Sequence, residues 1–121
     1  MDIAVADPLR ATVLISGTGS NLQALIDARD AGRLDLEIVH VISNVPDAPG
    51  LARAARADIR SSVLDHRSFG QRDDFDRALA VLMAAHDPEI IILAGFMRII
   101  GPRVLEPYAG RMINLHPSLL P

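Results

Sequence analysis

The sequence holds 121 residues, half of them hydrophobic, which suffices for the core of one compact domain and not of two. Twelve basic against 15 acidic residues leave a formal charge of −3, so no global positive field is available to hold a nucleic-acid backbone. Cysteine and lysine are both absent, which removes disulfides, a thiolate nucleophile, a cysteine zinc site, the phosphate-loop lysine, and any Schiff-base or general-base lysine.

Residues 1–10, MDIAVADPLR, have neither a basic n-region nor a long apolar h-region and read as a short N-terminal tail, not a signal peptide. The longest apolar run, Ile90 to Met97, is far shorter than the ~18 residues of a membrane span. A soluble, cytoplasmic protein is expected, with no membrane and no nucleic acid as partner.

From residue 11 to 121, apolar runs of strand length alternate with helical patterns, the signature of repeated βα units. The pattern predicts an α/β fold, a Rossmann-like open parallel sheet with helices on both faces. A first strand, Ala11 to Ser16, ends in Gly17-Thr18-Gly19. A helix follows from Ser20, with Ser20 and Gln23 as an S-x-x-Q capping box and Gly32 as its stop. The second strand, Leu36 to Ser43, leads through Asn44-Val45-Pro46 to Asp47, which can cap a helix ending near Ala57. A short, polar third strand, Ile59 to Leu64, suits a sheet edge. Ser68 and Gln71 offer a second capping box for a helix with Phe75, Leu79, Leu82 and Met83 on one stripe, ending before Pro88. Glu89 to Ala94 contains four consecutive aliphatic residues and fits a central strand buried on both faces. Gly95-Phe96-Met97-Arg98 is the loop at its end, Pro102 to Glu106 a brief helix, and Arg111 to His116 the fifth strand.

Ligands of open α/β sheets collect at the carboxyl ends of strands, near the point where strand order reverses. Three segments fall at such ends. In the first, the glycines turn the chain so that amides at Gly19, Ser20 and Asn21 meet a helix dipole, which favours a phosphate; an ordinary glycine turn is the alternative. A dinucleotide fits less well, because Leu22 replaces the third glycine of G-x-G-x-x-G and the second strand ends in Ser43-Asn44 without an acid for the ribose. In the third segment, Asn114 and His116 point to one side of an extended strand, and Pro117 holds His116 in extended geometry. An amide donor beside an imidazole titrating near ~6.5 suits a developing oxyanion; a strand-end pair satisfied by backbone groups is the alternative. In the middle segment Arg98 could meet a ligand carboxylate or ring, with a plain surface charge as the favoured alternative from position alone. His40, His66 and His86 read as structural or surface groups, Arg53, Arg56 and Arg60 as solvated charges, and Arg72 as surface. No histidine pair has metal-ligand spacing, so no metal is predicted.

Val13 to Leu25 (VLISGTGSNLQAL), Leu93 to Ile99 (LAGFMRI) and Ile113 to Pro121 (INLHPSLLP) together closely resemble the phosphoribosylglycinamide formyltransferases, folate-dependent enzymes of purine synthesis. The last segment alone resembles the wider formyl-folate group, which includes formyltetrahydrofolate deformylase and methionyl-tRNA formyltransferase. The glycine loop and the Gly-Phe-Met-Arg segment select the purine enzyme. The resemblance implies the formyltransferase fold, cut after its fifth strand. It implies a cosubstrate, 10-formyltetrahydrofolate, and a small-molecule acceptor, glycinamide ribonucleotide. Gly19, Ser20 and Asn21 would hold the acceptor phosphate. Arg72, Met97, Arg98, Ile99, Ile100 and Asn114 would contact the folate, and Asn114 and His116 would be the catalytic pair. In this family an aspartate later in the chain raises the histidine pKa; it would lie beyond Pro121, so residues 11–121 are expected to be the nucleotide-binding part of a longer enzyme and inactive alone. A homodimer and a non-catalytic phosphate-binding module remain open.

Overall fold

Runs of β-branched and aliphatic residues pair side by side because each has two apolar faces to bury and can do so only in a sheet covered on both sides. The structure, a computed structural model, describes residues 7–115. In chain order these are β1 (Leu9–Ile15), α1 (Ser20–Asp30), β2 (Leu36–Ser43), α2 (Gly50–Arg56), β3 (Ser61–Val63), α3 (Arg72–Ala84), β4 (Ile90–Ala94), α4 (Pro102–Leu105) and β5 (Met112–Leu115), with 3-10 turns at His66–Ser68 and Glu106–Tyr108. The five strands form one sheet in the order β3-β2-β1-β4-β5, every neighbouring pair parallel. The chain steps outward from β1 to β3, then returns to add β4 on the other side, so strand order reverses between β1 and β4.

Alternation along the strands divides the interior into two layers. Ala11, Val13 and Ile15 of β1 pack with Leu22 and Ile26 of α1 and Ala54 of α2. Leu14, Ile42 and Ile91 pack on the opposite face with Phe75, Leu79 and Met83 of α3 and Val104 of α4. Ile91 and Ile92 go to opposite layers, as a central strand requires. Each such side chain contributes about 1.5–3 kcal/mol on burial. β3 is three residues long and half-exposed, the short edge expected from its polarity.

Several boundaries differ from expectation, each for a local reason. β1 begins at Leu9, inside the stretch read as a tail, because Leu9 pairs with Leu36 and its amide reaches the Asp35 carbonyl at 3.2 Å. The residue capping α1 is Gly19, not Ser20, and the Gln23 side chain turns forward, its Nε2 donating to Asp27 Oδ1 at 2.9 Å. Ser68 belongs to a 3-10 turn capped by Asp65, which accepts from the Arg67 amide, and α3 starts at Arg72 with no side-chain cap bond. The Arg67 side chain and amide together hold the Asp65 carboxyl down to about 2. α2 starts at Gly50 rather than after Asp47, because Ser43 Oγ ties the Val45 amide and carbonyl into a turn first. The fifth strand is described from Met112 to Leu115; His116 lies outside the described residues.

Candidate functional site

The loop after β1 is shaped by two glycines that touch. Gly19 has φ of 77°, the left-handed region, and a Cβ placed on it would lie 2.5 Å from the Cα of Gly50. A Cβ on Gly50 would in turn lie 2.6 Å from Ile15 Cδ1 and 3.0 Å from the Gly19 Cα. The start of α2 therefore lies directly against the start of α1, with no side chain between. The loop's carbonyls are tied to α2: Gly17 accepts from the Gly50 amide at 3.0 Å, and Thr18 accepts from Arg53 Nε at 2.8 Å. The first-turn amides of α1, Ser20 and Asn21, have no partner within the helix and carry the positive end of its dipole. An anion is the natural occupant of such a place.

The second wall is the loop after β4. Met97 and Ile99 are 82% and 75% exposed, whereas Ile100 is buried and Arg98 folds its guanidinium over the Phe75 ring, 4.6 Å from the centroid. Arg72, at the start of α3, donates from Nη2 to the Ile99 carbonyl at 3.1 Å. Between the two loops lies a cleft of about 230 Å³, lined by residues 16–21 and by Ala94, Gly95 and Met97.

One side chain spans the cleft floor. Ser16, just past β1, donates from Oγ to Asn44 Oδ1 at the end of β2 and accepts from the Met97 amide at 2.8 Å. At the third strand end, Asn21 Nδ2 reaches the Leu115 carbonyl at 3.5 Å, linking α1 to β5. Asn114 is exposed and sits beside Leu93 in the β4–β5 ladder. The structure thus gathers Gly19, Ser20, Asn21 and Met97 around one cleft at the carboxyl edge of the sheet and sets Asn114 on the neighbouring strand end. It turns the Arg98 side chain away, onto α3.

The remaining histidines lie elsewhere. His40 is buried in β2; its Nε2 bonds Ser62 Oγ at 2.7 Å, while Nδ1 has no partner among the described residues. Burial, then the nearby His86 ring, lowers the His40 pKa. His86 is not in the last helical turn as expected but two residues past α3, with φ of 68°, where its ring meets Arg60 Nη1 at 2.9 Å. His66 Nδ1 lies 3.2 Å from the Asn44 carbonyl. Among the described residues no three histidine or acidic side chains converge as a metal site, and no helix is long and apolar enough to cross a membrane.

Residues 9–121 match the model of the family described as formyl transferase. The chain belongs to the formyl transferase family. Among formyl transferases, the phosphoribosylglycinamide formyltransferase of Escherichia coli (strain K12) is 47% identical over 109 residues, which are 90% of this chain and 51% of that protein. The human trifunctional purine biosynthetic protein adenosine-3 is 45% identical over 112 residues, covering 93% of this chain and 11% of that one. The chain therefore spans about half the length of the bacterial formyl transferase it matches. A phosphoribosylglycinamide formyltransferase structure from Coxiella burnetii superposes with a TM-score of 0.87 at 52% identity, covering 94% of this chain and 54% of that chain. A formyltetrahydrofolate deformylase from Pseudomonas putida shares the fold at a TM-score of 0.76 and 23% identity.

Four residues that shape this cleft escape a reading of the sequence alone: Ser16, Asn44, Gly50 and Arg53. Arg53 is half-buried against the glycine loop and not the solvated charge its alanine-rich helix suggested. The available signal was slight: Gly50 stands at a helix start, where a small residue allows close approach, and Asn44 follows a strand that meets β1.

Proposed function

We propose that the whole protein transfers the formyl group of 10-formyltetrahydrofolate to the amine of 5-phosphoribosylglycinamide, as a cytoplasmic enzyme of purine synthesis, and that residues 11–121 form its nucleotide-binding part. The observation that carries this reading is the cleft between α1's free amides and the exposed Met97, an anion seat facing the start of an apolar surface that Ile99 continues. The names of the relatives at 47% and 52% identity support it.

In this reading Gly19, Ser20 and Asn21 donate to the ribonucleotide phosphate, and the folate is received by Arg72, Asn114 and the Met97, Arg98, Ile99, Ile100 segment, with the Met97 and Ile99 side chains outward and Arg98 and Ile100 contributing through their backbone. The substrate amine attacks the formyl carbon and forms the new C–N bond. Asn114 and protonated His116 stabilise the resulting oxyanion. Collapse breaks the bond to the folate nitrogen, which takes a proton delivered through His116. Neither a covalent enzyme intermediate nor a metal is needed for these steps, and both partners are small molecules.

The test is formyl transfer by the full-length protein. Ribonucleotide-dependent release of tetrahydrofolate is expected, falling roughly 10²–10⁴-fold in His116→Ala and 10²–10³-fold in Asn114→Ala. Formate release that ignores the ribonucleotide would overturn the reading.

A further inference from the structure

Exposure alternates along the segment after β4. Met97 and Ile99 face outward at 82% and 75%, while Arg98 packs on Phe75 and Ile100 is buried. Nothing in the residue types enforces that alternation, since Met, Ile and Ile could each be buried and Arg98 exposed. A shift of this loop by one residue would turn Met97 and Ile99 inward and Arg98 and Ile100 outward, replacing an apolar surface beside the cleft with a charged one.

The segment's first residue is hydrogen-bonded to a position 81 residues away. Ser16 Oγ has one proton, and it goes to Asn44 Oδ1. That leaves the oxygen lone pairs, one of which accepts the Met97 amide at 2.8 Å. At the far end of this hydrogen-bonded chain Asn44 is 3% exposed, its backbone amide is bonded to the Ile15 carbonyl, and its Nδ2 lies 3.4 Å from His66 Nδ1. Ser16 itself is 8% exposed, so water competes poorly for either bond. By contrast the second tie on this segment, Arg72 to the Ile99 carbonyl, is solvent-exposed.

We propose that Ser16 is a positioning residue which, held by Asn44, sets the register of the Met97–Ile100 segment and thereby presents the apolar wall to the folate. Ser16 acts through the Met97 backbone and touches no reacting atom. This inference rests on the formyl-folate reading of the second wall, and the experiment separates the two.

In the full-length protein, Ser16→Ala is compared with Ser16→Thr, which keeps the hydroxyl. Loss of one buried neutral hydrogen bond is expected to raise KM for 10-formyltetrahydrofolate roughly five- to tenfold and to leave KM for phosphoribosylglycinamide within about twofold. If only a fraction of molecules keeps the register, apparent folate affinity falls by that fraction. Ser16→Thr is expected to restore the folate KM. Hydrogen exchange reads the same bond without any substrate: the Met97 amide is expected to exchange at least about tenfold faster in Ser16→Ala, with the Val13 amide of β1 as unchanged reference. Unchanged exchange at Met97, or equal KM shifts for both substrates, would overturn the proposal. A protein that transfers no formyl group but shows the Met97 exchange effect would overturn the formyl-folate reading and leave the positioning intact.

Discussion

The two walls of the cleft are held in place by different physics. The glycine loop is fixed by contact: the Gly19 and Gly50 backbones approach so closely that neither admits a Cβ, and the loop carbonyls are turned onto α2. The Met97–Ile100 segment is fixed by polar ties and a stacked cation: Ser16 on one amide, Arg72 on one carbonyl, Phe75 beneath Arg98. A small, invariant anion suits a seat that cannot move, because donors already aimed at it lose little freedom on binding. A wall for a larger, flatter ligand suits ties that allow small adjustments. The first wall should thus fail all at once when its sterics are violated, and the second by degrees.

Gly19→Ala puts the sharpest strain on that contrast. It forces a side chain into the left-handed region and against the Gly50 backbone, and is expected to cost about 2–5 kcal/mol, read as a fall in unfolding midpoint together with loss of phosphate-ligand binding. A stable variant that still binds phosphate would show that the loop is not fixed by contact. Phe75→Leu comes next. It removes the ring beneath Arg98 and its edge contact with Phe69, for an expected loss of about 1–3 kcal/mol. Its KM for formyl folate should rise while that for the ribonucleotide holds, and an equal rise in both would break the separation of the walls. Arg53→Ala gives the smallest effect, about 1 kcal/mol in urea unfolding, because it deletes the Thr18 hydrogen bond and leaves the glycine contact in place. A loss as large as that of Gly19→Ala would mean that the loop depends on a side chain after all.

The same division explains what could be read in the sequence. All five strands were legible in order, and β2 to the residue, because hydrophobic period and run length are local properties. The edge character of β3 and the two-faced burial of β4 followed from polarity alone. The capping boxes were not legible. Ser20-x-x-Gln23 and Ser68-x-x-Gln71 match the pattern, but the pattern does not say which residue leaves helical geometry, and here Gly19 and Gln71 do. Gly19, Ser20, Asn21 and Met97 could be placed together at the strand ends because a glycine turn and a strand-end loop mark themselves. Ser16, Asn44 and Gly50 were missed because each is defined by what lies across from it. Arg98 was placed at the folate by the family resemblance, and the aromatic ring that draws its side chain down is 23 positions away.

The strand order also carries a consequence for how the protein reaches this state. β1, β2 and β3 are joined by neighbouring crossovers and can pair as they emerge, whereas the β1–β4 ladder joins Leu14 to Leu93. Closing that long loop brings an entropic cost that nothing local offsets until β4 docks. Both walls of the cleft exist only on either side of that ladder. The binding site is therefore assembled in the most non-local step of folding, and a chain arrested before it would have a half-sheet with a finished glycine loop and nothing opposite.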